Sequence, residues 1–192
     1  MPPNKFPSEL SELFSNPQFL GAGGMGTVWR ATLNRAKVDV AVKVLNFDRI
    51  GEDETIHKRF KREGKLASAS LHPNIANAVE YDEVKGCPYI AYEFIEGTTL
   101  REKISQLPLT RVMTIKVLGE LASCLATIHN NNIVHRDIKP ENIMLTENDE
   151  VRLLDFGIAR IFDIGQTLTE TGVILGTPYY IAPEQCRGEK AR

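Results

Sequence analysis

The sequence has few cysteines and almost no net charge. Its three cysteines, Cys87, Cys124 and Cys186, lie far apart in the 192-residue chain, so they suggest neither a disulfide framework nor a metal-binding spacing. The formal net charge of −2 gives no reason to expect nucleic acid or an anionic membrane as a partner. No apolar run reaches the length of a membrane span, and the N-terminus lacks the basic start and apolar core of a signal peptide. We therefore expect a cytoplasmic protein with reduced thiols and no membrane segment in this chain.

The order of the predicted elements indicates an α+β fold. Hydrophobic residues make up 42% and charged residues 25% of the chain, which is typical of a soluble globular protein. Residues 1–17 have the prolines and scattered polar residues of a loose lead-in. Residues 18–95 are mainly strands with one main helix, whereas residues 96–192 are mainly helical. This order predicts two lobes with a cleft between them.

Hydrophobic periodicity predicts two long helices. The first, near Glu54–Ser68, places Ile56, Phe60, Glu63 and Ala67 on one face. The second, over Thr110–His129, has a single narrow polar stripe, so most of its circumference should be buried. That stripe consists of Lys116, Glu120, Ser123 and Thr127.

Four glycines at positions 21, 23, 24 and 26 lie between two strand-like segments. Glycine lets backbone N–H groups approach phosphate oxygens. A flexible hairpin turn is the simpler explanation, because a glycine motif of this kind is weak evidence by itself. A dinucleotide-binding fold would need a helix directly after the glycines, whereas "TVWRATL" is β-branched and aromatic and indicates a strand.

Lys43 and Glu63 are charged residues at positions that should face inward. In the strand "VDVAVKVL", the valines share one face, and Lys43 shares the other with Asp39 and Ala41. Most lysines lie in water, but a lysine on a central strand needs an anionic partner such as a phosphate or a carboxylate. Glu63 is the candidate carboxylate, since a charge on the inner helix face is costly unless it is paired.

A polar cluster and a hairpin follow the second helix. "NIML" and "VRLLD" flank "TENDE", and a hairpin centred on Asn148–Asp149 would place Asn142 opposite Asp155. Two such oxygen ligands suit Mg²⁺. Asp137, just before the hairpin, could accept a proton from a hydroxyl group. Taken singly, each of these residues is better explained as a turn-forming Asp or Asn. Taken together, turn formation does not explain why the polar cluster and "DFG" should flank one hairpin.

Together, these motifs resemble those of a eukaryotic-type (Hanks-type) Ser/Thr protein kinase. "GAGGMGTV" is similar to the glycine-rich loop, "VAVK" to the ATP-positioning lysine strand, "HRDIKPEN" to the catalytic loop, "DFG" to the metal-binding motif, and "APE" to the end of the activation segment. "GGMG", "LHPNIA" and "GTPYYIAPEQ" are most similar to the bacterial branch. The resemblance implies a bilobal kinase-like fold. Residues 18–95 would be the β-rich N-lobe and hinge, and residues 96–192 a partial C-lobe.

The resemblance implies ATP- and Mg²⁺-dependent transfer of the γ-phosphoryl group to Ser/Thr hydroxyls of proteins. Asp137 would be the catalytic base, and Lys139 would stabilise the transferring group. Lys43, fixed by Glu63, would hold the α- and β-phosphates, while Asn142 and Asp155 would hold Mg²⁺. The residues implied in nucleotide binding are Leu20, Gly21, Ala22, Gly23, Gly24, Met25, Gly26, Thr27, Val28, Ala41, Lys43, Glu93, Ile95 and Met144.

The resemblance also implies a phosphorylation switch. Arg136 would pair with a phosphothreonine of the activation segment, and Thr169 and Thr171 are the candidates for autophosphorylation, which would involve self-association. Thr177 is expected to brace the catalytic loop instead, and Thr167 to be solvated.

Kinases of this family continue well past the "APE" motif. We therefore expect a truncated domain with an incomplete C-lobe and an exposed apolar surface on the Thr110–His129 helix. The alternative function is a catalytically impaired ATP-binding or scaffold fragment. A small-molecule kinase with the same architecture is disfavoured, because "KPEN" with "GTPYYIAPE" suits a protein substrate better.

Two residues depart from the expected pattern in ways that lead to hypotheses. Tyr92 is at the gatekeeper position, and its ring should fill volume that the small Ala67 and Ala78 leave empty. Gly64, next to Glu63, lowers helix propensity by about 1 kcal/mol relative to alanine and could make this helix mobile.

Overall fold

The computed structural model describes residues 5–23, 26–45, 54–69, 71–135, 137–154, 180, 182 and 183. The chain divides into two units. The first comprises Met1–Ser70 and Asn77–Phe94, and the second comprises Leu71–Ala76 and Ile95–Arg192. The division in the hinge region falls between Phe94 and Ile95, and the short segment Leu71–Ala76 belongs with the second unit although it lies within the predicted N-lobe.

In its described residues, the first unit is a five-stranded antiparallel sheet with one α-helix. The strand order is β1-β2-β3-β5-β4, so β3 is central and β1 and β4 are the edges. The strands are β1 (Phe14–Ala22), β2 (Gly26–Leu33), β3 (Val38–Leu45), β4 (Ala78–Val84) and β5 (Cys87–Glu93). Helix α1 spans Glu54–Ala67, as the periodicity predicts, and a short 3₁₀ turn spans Ser8–Leu10.

The core of this unit lies on one face of the sheet. The alternation predicted for β3 is confirmed for Val40, Val42 and Val44, which are all buried. Val38, at the start of the strand, is instead 47% exposed.

The lead-in is less loose than predicted. Leu10 and Phe14 are buried, and the Phe6 ring packs edge-on against Phe14 and Trp29. Apolar side chains therefore tie residues 6–14 to the sheet.

Up to residue 154, the described part of the second unit combines two α-helices with a three-stranded sheet of order β6-β7-β8. Its elements are β6 (Gly97–Thr99), α2 (Leu100–Gln106), α3 (Arg111–Asn130), a 3₁₀ turn (Pro140–Asn142), β7 (Ile143–Thr146) and β8 (Val151–Leu153). Thr99 and Thr110 are the N-caps of α2 and α3, and Thr99 forms a capping box with Glu102. The predicted long helix is thus confirmed at both ends to within one residue.

In helix α3, the predicted polar stripe contacts neighbouring residues, while part of the apolar surface is exposed; periodicity alone did not show this. Glu120 of the predicted polar stripe accepts hydrogen bonds from Asn74 Nδ2 at 3.0 Å and from the Val151 N–H at 2.8 Å, so the stripe contacts neighbours in its own unit. The apolar residues Val112, Ile115 and Leu118 are instead 61–79% exposed, as the predicted exposed surface requires. By length and composition, α3 is the one helix in the described part of the chain that could span a bilayer, a test that core helices of soluble proteins also pass.

The hairpin register differs by one residue from the prediction. Ile143 pairs with Leu153, and the Leu154 N–H donates to the Asn142 carbonyl at 2.8 Å. Asn142 is therefore opposite Leu154, whereas the prediction placed Asp155 there. The cause is the turn: the Thr146 N–H donates to the Glu150 carbonyl, and Asp149 adopts a left-handed conformation with φ of 58°. This is a three-residue loop, and its odd length shifts the register from that of a two-residue turn.

Candidate functional site

One face of the sheet in the first unit carries three of the predicted nucleotide-binding side chains, Val28, Ala41 and Lys43, together with Tyr92. Val28 is directly opposite Lys43 in the β2–β3 ladder, and Ala41 is directly opposite Tyr92 in the β3–β5 ladder. Directly opposed residues of an antiparallel pair share a face, and residues two apart on a strand also share it. Val28, Ala41, Lys43 and Tyr92 therefore lie on the same side of the sheet, opposite to the buried valines of β3.

Lys43 and Glu63 form the ion pair that the sequence suggested. Lys43 Nζ donates to Glu63 Oε1 at 2.7 Å; the lysine side chain is 15% exposed and the glutamate 0%. Phe60 and Ala67 on the same face of α1 are also buried. A buried carboxylate is stable only with charged or hydrogen-bonded partners, so α1 is seated with Glu63 against the cation of β3.

The glycine-rich segment contains two kinds of glycine. The Gly23 N–H donates to the Gly26 carbonyl at 2.8 Å. A Cβ on Gly26 would lie 1.9 Å from the Val44 carbonyl oxygen, so packing against β3 requires glycine here. Added Cβ atoms on Gly21 and Gly23 would meet nothing within 4 Å. These two glycines therefore serve no packing purpose in the structure, which is compatible with a backbone that a ligand approaches. Gly24 and Met25 lie outside the described residues.

The neighbours of these glycines do not all face the same way. Thr27 is buried and its hydroxyl accepts from Trp29 Nε1 at 2.8 Å, on the core side of the sheet. Its side chain therefore lies on the face opposite to Val28 and Lys43. A nucleotide bound on the face of Val28 and Lys43 would meet only the Thr27 backbone. Leu20 is half-exposed, and Ala22 pairs with Thr27 at the end of β1.

Three more of the predicted nucleotide-binding residues, Glu93, Ile95 and Met144, are divided between the two units. In the first, the Glu93 N–H donates to the Asn77 carbonyl at 2.9 Å, and Glu93 Oε1 accepts from the Asn77 N–H at 3.0 Å, which fixes the end of β5. Ile95 is the first residue of the second unit after the division. Met144, in β7, is half-buried and pairs with Thr99 and Arg152.

In the second unit, the catalytic-loop residues form a connected group. Lys139 Nζ lies 3.0 Å from Asp137 Oδ2, and each side chain is 14% exposed. Asn142 Nδ2 donates to Asp137 Oδ2 at 2.7 Å and to the Asp137 carbonyl at 2.9 Å. The Asn142 amide nitrogen is thus directed at Asp137, so the opposite side of its amide group, the oxygen, is the atom available to a metal ion.

The predicted metal site has the right chemistry for Mg²⁺ in its described part. The amide oxygen of Asn142, the one predicted ligand that the structure describes, is a hard oxygen donor, which this ion prefers. Asp155, the second predicted ligand, lies outside the described residues. Among the residues that the structure describes, no three His, Cys, Asp or Glu side chains form a metal-binding group.

His135 is a supporting residue that the sequence reasoning missed. It is buried, its Nδ1 accepts from the Asp137 N–H at 3.4 Å, and its Nε2 lies 3.0 Å from the Leu154 carbonyl oxygen. These partners assign the proton to Nε2, which donates to Leu154. His135 therefore ties the backbone of Asp137 to the chain directly before Asp155. The signal was available in the sequence, since the imidazole two residues before Asp137 directly follows the apolar pair Ile133 and Val134.

Arg101 is a second residue that the sequence reasoning missed. Its Nε donates to Glu141 Oε1 at 2.9 Å, and its guanidinium lies 5.8 Å from the centre of the Tyr180 ring. Burial acts to raise the pKa of the Glu141 carboxyl, but a backbone hydrogen bond and the Arg101 guanidinium outweigh it and lower that pKa. The start of α2 is thus tied to the catalytic loop by a contact between residues 40 positions apart in sequence.

The predicted switch residues lie outside the described part of the chain. They are Arg136, Thr167, Thr169, Thr171 and Thr177.

Of the three cysteines, Cys87 and Cys124 are free thiols, and Cys186 lies outside the described residues. Burial, followed by the charges of Glu9 and Glu83, raises the pKa of Cys87 to about 11, so this thiol is unreactive near neutral pH.

The antiparallel sheet with its Lys–Glu pair, and the Asp–Lys–Asn loop before a hairpin, together define the framework of a protein kinase. Comparison with known families agrees: the protein kinase domain family matches residues 14–192, and the chain belongs to this family.

Relatives of this chain are bacterial Ser/Thr protein kinases. It is 40% identical over 189 residues to the serine/threonine-protein kinase PknB of Mycobacterium tuberculosis, covering 95% of this chain and 30% of that protein. It is 38% identical to the probable serine/threonine-protein kinase SCO3848 of Streptomyces coelicolor, covering 96% of this chain and 28% of that protein. A third relative, the serine/threonine-protein kinase pkn2 of Myxococcus xanthus, is 39% identical over 176 residues. The chain thus spans less than a third of the length of these relatives.

Proposed function

We propose that this chain catalyses transfer of the γ-phosphoryl group of ATP to Ser and Thr hydroxyls of proteins, including threonines of its own activation segment. The observation that carries the proposal is the pair of preassembled charge groups: Lys43 on Glu63 in the first unit, and Asp137 with Lys139 and Asn142 in the second. Membership in the kinase family and Ser/Thr kinase relatives support the same function.

Each residue has a distinct chemical task in this proposal. Lys43 neutralises the α- and β-phosphates, and its pairing with Glu63 holds the ammonium group in place. Asp137 accepts the proton of the incoming hydroxyl as the new oxygen–phosphorus bond forms and the bond to the ADP oxygen breaks. Lys139, 3.0 Å from Asp137, contributes positive charge where the transferring group passes. Bound Mg²⁺ would neutralise phosphate charge, held by Asn142 and Asp155.

The proposal also places the chain in the cytoplasm, where ATP is abundant and thiols stay reduced. Protein substrates are favoured because Lys139 stands in "KPEN" and because the relatives are named as Ser/Thr protein kinases. Phosphorylation of Thr169 and Thr171 would need a second copy of the chain as substrate or a turn of the segment back to its own site.

Incubation of the chain with Mg²⁺, γ-labelled ATP and a generic Ser/Thr protein acceptor tests the proposal. We expect label on the acceptor and on Thr169 or Thr171. The Asp137→Asn variant should lose about 100-fold or more in rate, because it lacks the proton acceptor. Equal transfer by the parent and Asp137→Asn would contradict the assigned base. Nucleotide binding without transfer would favour the alternative of an ATP-binding or scaffold fragment.

A further inference from the structure

Tyr92 makes a contact with the Lys43–Glu63 pair that the ring-filling hypothesis did not include. Its phenolic hydroxyl donates to Glu63 Oε1 at 2.8 Å, and the same oxygen accepts from Lys43 Nζ at 2.7 Å. Tyr92 is 7% exposed and Glu63 is 0% exposed. One carboxylate oxygen therefore joins α1 to two different strands, through the cation of β3 and the hydroxyl of β5.

The sheet register explains how the hydroxyl reaches this position. Tyr92 is directly opposite Ala41 on β3 and Ala78 on β4. Both neighbours are alanines, so the tyrosine ring can lie across the sheet face on which Lys43 also stands. A shorter side chain at position 92 could fill part of this space, but the tyrosine also carries a neutral donor far enough from the backbone to meet a carboxylate on α1.

The contact has an energetic consequence for the orientation of Glu63. A carboxylate removed from water is stabilised by each hydrogen bond to its charged form, and such bonds contribute more than neutral ones. With Lys43 alone, Glu63 would depend on a lysine that also has to bind phosphate. The second donor keeps the carboxylate directed inward through a neutral group that the nucleotide does not use.

We infer that Tyr92 is a positioning residue: its hydroxyl holds Glu63 of α1 in the orientation that aligns Lys43 for the ATP phosphates. This inference rests on the proposed function for its effect on ATP. Its effect on the seating of α1 is independent of catalysis.

The structure supplies a matched pair of variants. Tyr92→Phe removes the hydroxyl and keeps the ring. Tyr89→Phe is the control, because Tyr89 is on the same strand, is 1% exposed, and donates to a different carboxylate, that of Glu80. Residues 89 and 92 are three apart on β5, so their side chains are on opposite faces. Both variants lose one buried hydroxyl–carboxylate hydrogen bond, but only Tyr92→Phe loses one to Glu63.

The first measurement is the affinity for ATP with Mg²⁺, by titration of each variant of the full chain. We expect Tyr92→Phe to bind about three- to tenfold more weakly than the parent, the range that loss of one such hydrogen bond gives. Tyr89→Phe should bind as the parent does. In a Glu63→Ala background, Tyr92→Phe should change the affinity very little, because the hydroxyl has lost its acceptor. An equal penalty in both backgrounds would overturn the inference.

The second measurement is amide hydrogen exchange of α1 without nucleotide. Tyr92→Phe should speed exchange of residues 60–67, and Tyr89→Phe should not. If the parent binds no ATP, the proposed function fails, yet the exchange comparison still decides whether Tyr92 seats α1. If the parent binds ATP while Tyr92→Phe matches it in both affinity and exchange, the positioning role is wrong and the proposed function stands. Tyr92→Ala, which also removes the ring, should lower the melting temperature beyond the loss seen for Tyr92→Phe.

Discussion

The two units hold their charged side chains in place by different structural means. In the first, Lys43 and Glu63 are 2.7 Å apart and come from a central strand and a helix, with the carboxylate fully buried. In the second, Asp137 and Lys139 are 3.0 Å apart on a loop, and both remain 14% exposed. The first pair is fixed by regular secondary structure. The second is held on its loop by two hydrogen bonds that Asn142 Nδ2 donates to Asp137 and by the Asp137 N–H, which donates to His135 Nδ1.

The difference matches the tasks proposed for the two pairs. A lysine that binds phosphates must keep its charge and position, and a buried carboxylate partner secures both. An aspartate that accepts a proton must be reached by a substrate hydroxyl, so its carboxylate has to stay near solvent. We therefore expect changes in the first unit to affect folding and binding together, and changes in the second to affect chemistry more than folding.

The largest expected difference is between two lysine-to-methionine variants. Lys43→Met leaves the carboxylate of Glu63 buried without its cation, and we expect a loss of about 3 kcal/mol of unfolding free energy. Lys139→Met should cost at most about 1 kcal/mol, because Asp137 keeps its hydrogen bond from Asn142 and its access to water. Urea unfolding measures both, with the fluorescence of Trp29, the single tryptophan, reporting the first unit and circular dichroism the whole chain. Equal losses would remove the distinction between the two pairs.

A glycine in each unit gives a second comparison, with opposite signs. A Cβ on Gly64 of α1 would lie 2.6 Å from Tyr81 Cγ and 2.7 Å from Tyr81 Cβ, atoms too close to the backbone to move aside easily. Gly64→Ala should therefore destabilise the chain by about 1–3 kcal/mol. Gly119 of α3 is exposed with nothing within 4 Å, so Gly119→Ala should stabilise by about 0.5–1 kcal/mol.

The outcome for Gly64 separates two explanations of this glycine. If its purpose is close packing of α1 on β4, as the structure indicates, alanine is harmful, and Tyr81→Gly, which removes both Cβ and Cγ, should relieve the harm. If its purpose is to keep α1 mobile, alanine should stabilise the helix and slow its hydrogen exchange. Thermal melting of the two single variants and of the Gly64→Ala, Tyr81→Gly double variant distinguishes these results.

The smallest expected effect is a pH dependence from the second unit. The pKa of Glu141 is lowered in the folded chain, against the opposing effect of burial, by its backbone hydrogen bond and by Arg101. A carboxyl with a lowered pKa adds stability above its unfolded pKa of about 4.3, and this stability is lost as the pH falls through the folded value. The parent should thus lose slightly more stability than Glu141→Gln between pH 6 and pH 3. Because Glu141 and Arg101 are 35% and 41% exposed, solvent screens the pair and added salt should shrink the difference. A parent and variant with parallel pH profiles would show that the pair contributes nothing.

Periodicity and motif spacing were sufficient for most of the fold. The alternation in 38–45 predicted that the valines share one face of β3 and Lys43 the other, and the inward position of Glu63 predicted an ion pair with Lys43; both are confirmed. The boundaries of α1 and α3 were close because apolar periodicity is a local signal. The prediction of a loose lead-in was wrong at Leu10, because the burial of Leu10 depends on a sheet whose first strand begins only at Phe14.

The register of the β7–β8 hairpin failed for a different reason. Symmetry of the letters about Asn148–Asp149 suggested a two-residue turn, but Asp149 adopts a positive φ and makes a three-residue loop. Likewise, the pairing of Arg101 with Glu141 and the contact of His135 Nε2 with the Leu154 carbonyl join residues from separate elements. No local pattern contains these contacts.

The amino-acid sequence by itself determined the kinase class, the identity of the charged residues and the faces on which they lie, because these follow from spacing along one strand, one helix or one loop. Only the tertiary structure decided which groups donate hydrogen bonds to Glu63 and why Gly64 must be glycine. It also decided that the polar stripe of α3 contacts the segment around Asn74. The physical reason is that hydrogen bonds and close contacts depend on ångström-scale distances between elements. Those distances are set by packing of the whole unit and are not encoded in any short stretch of chain.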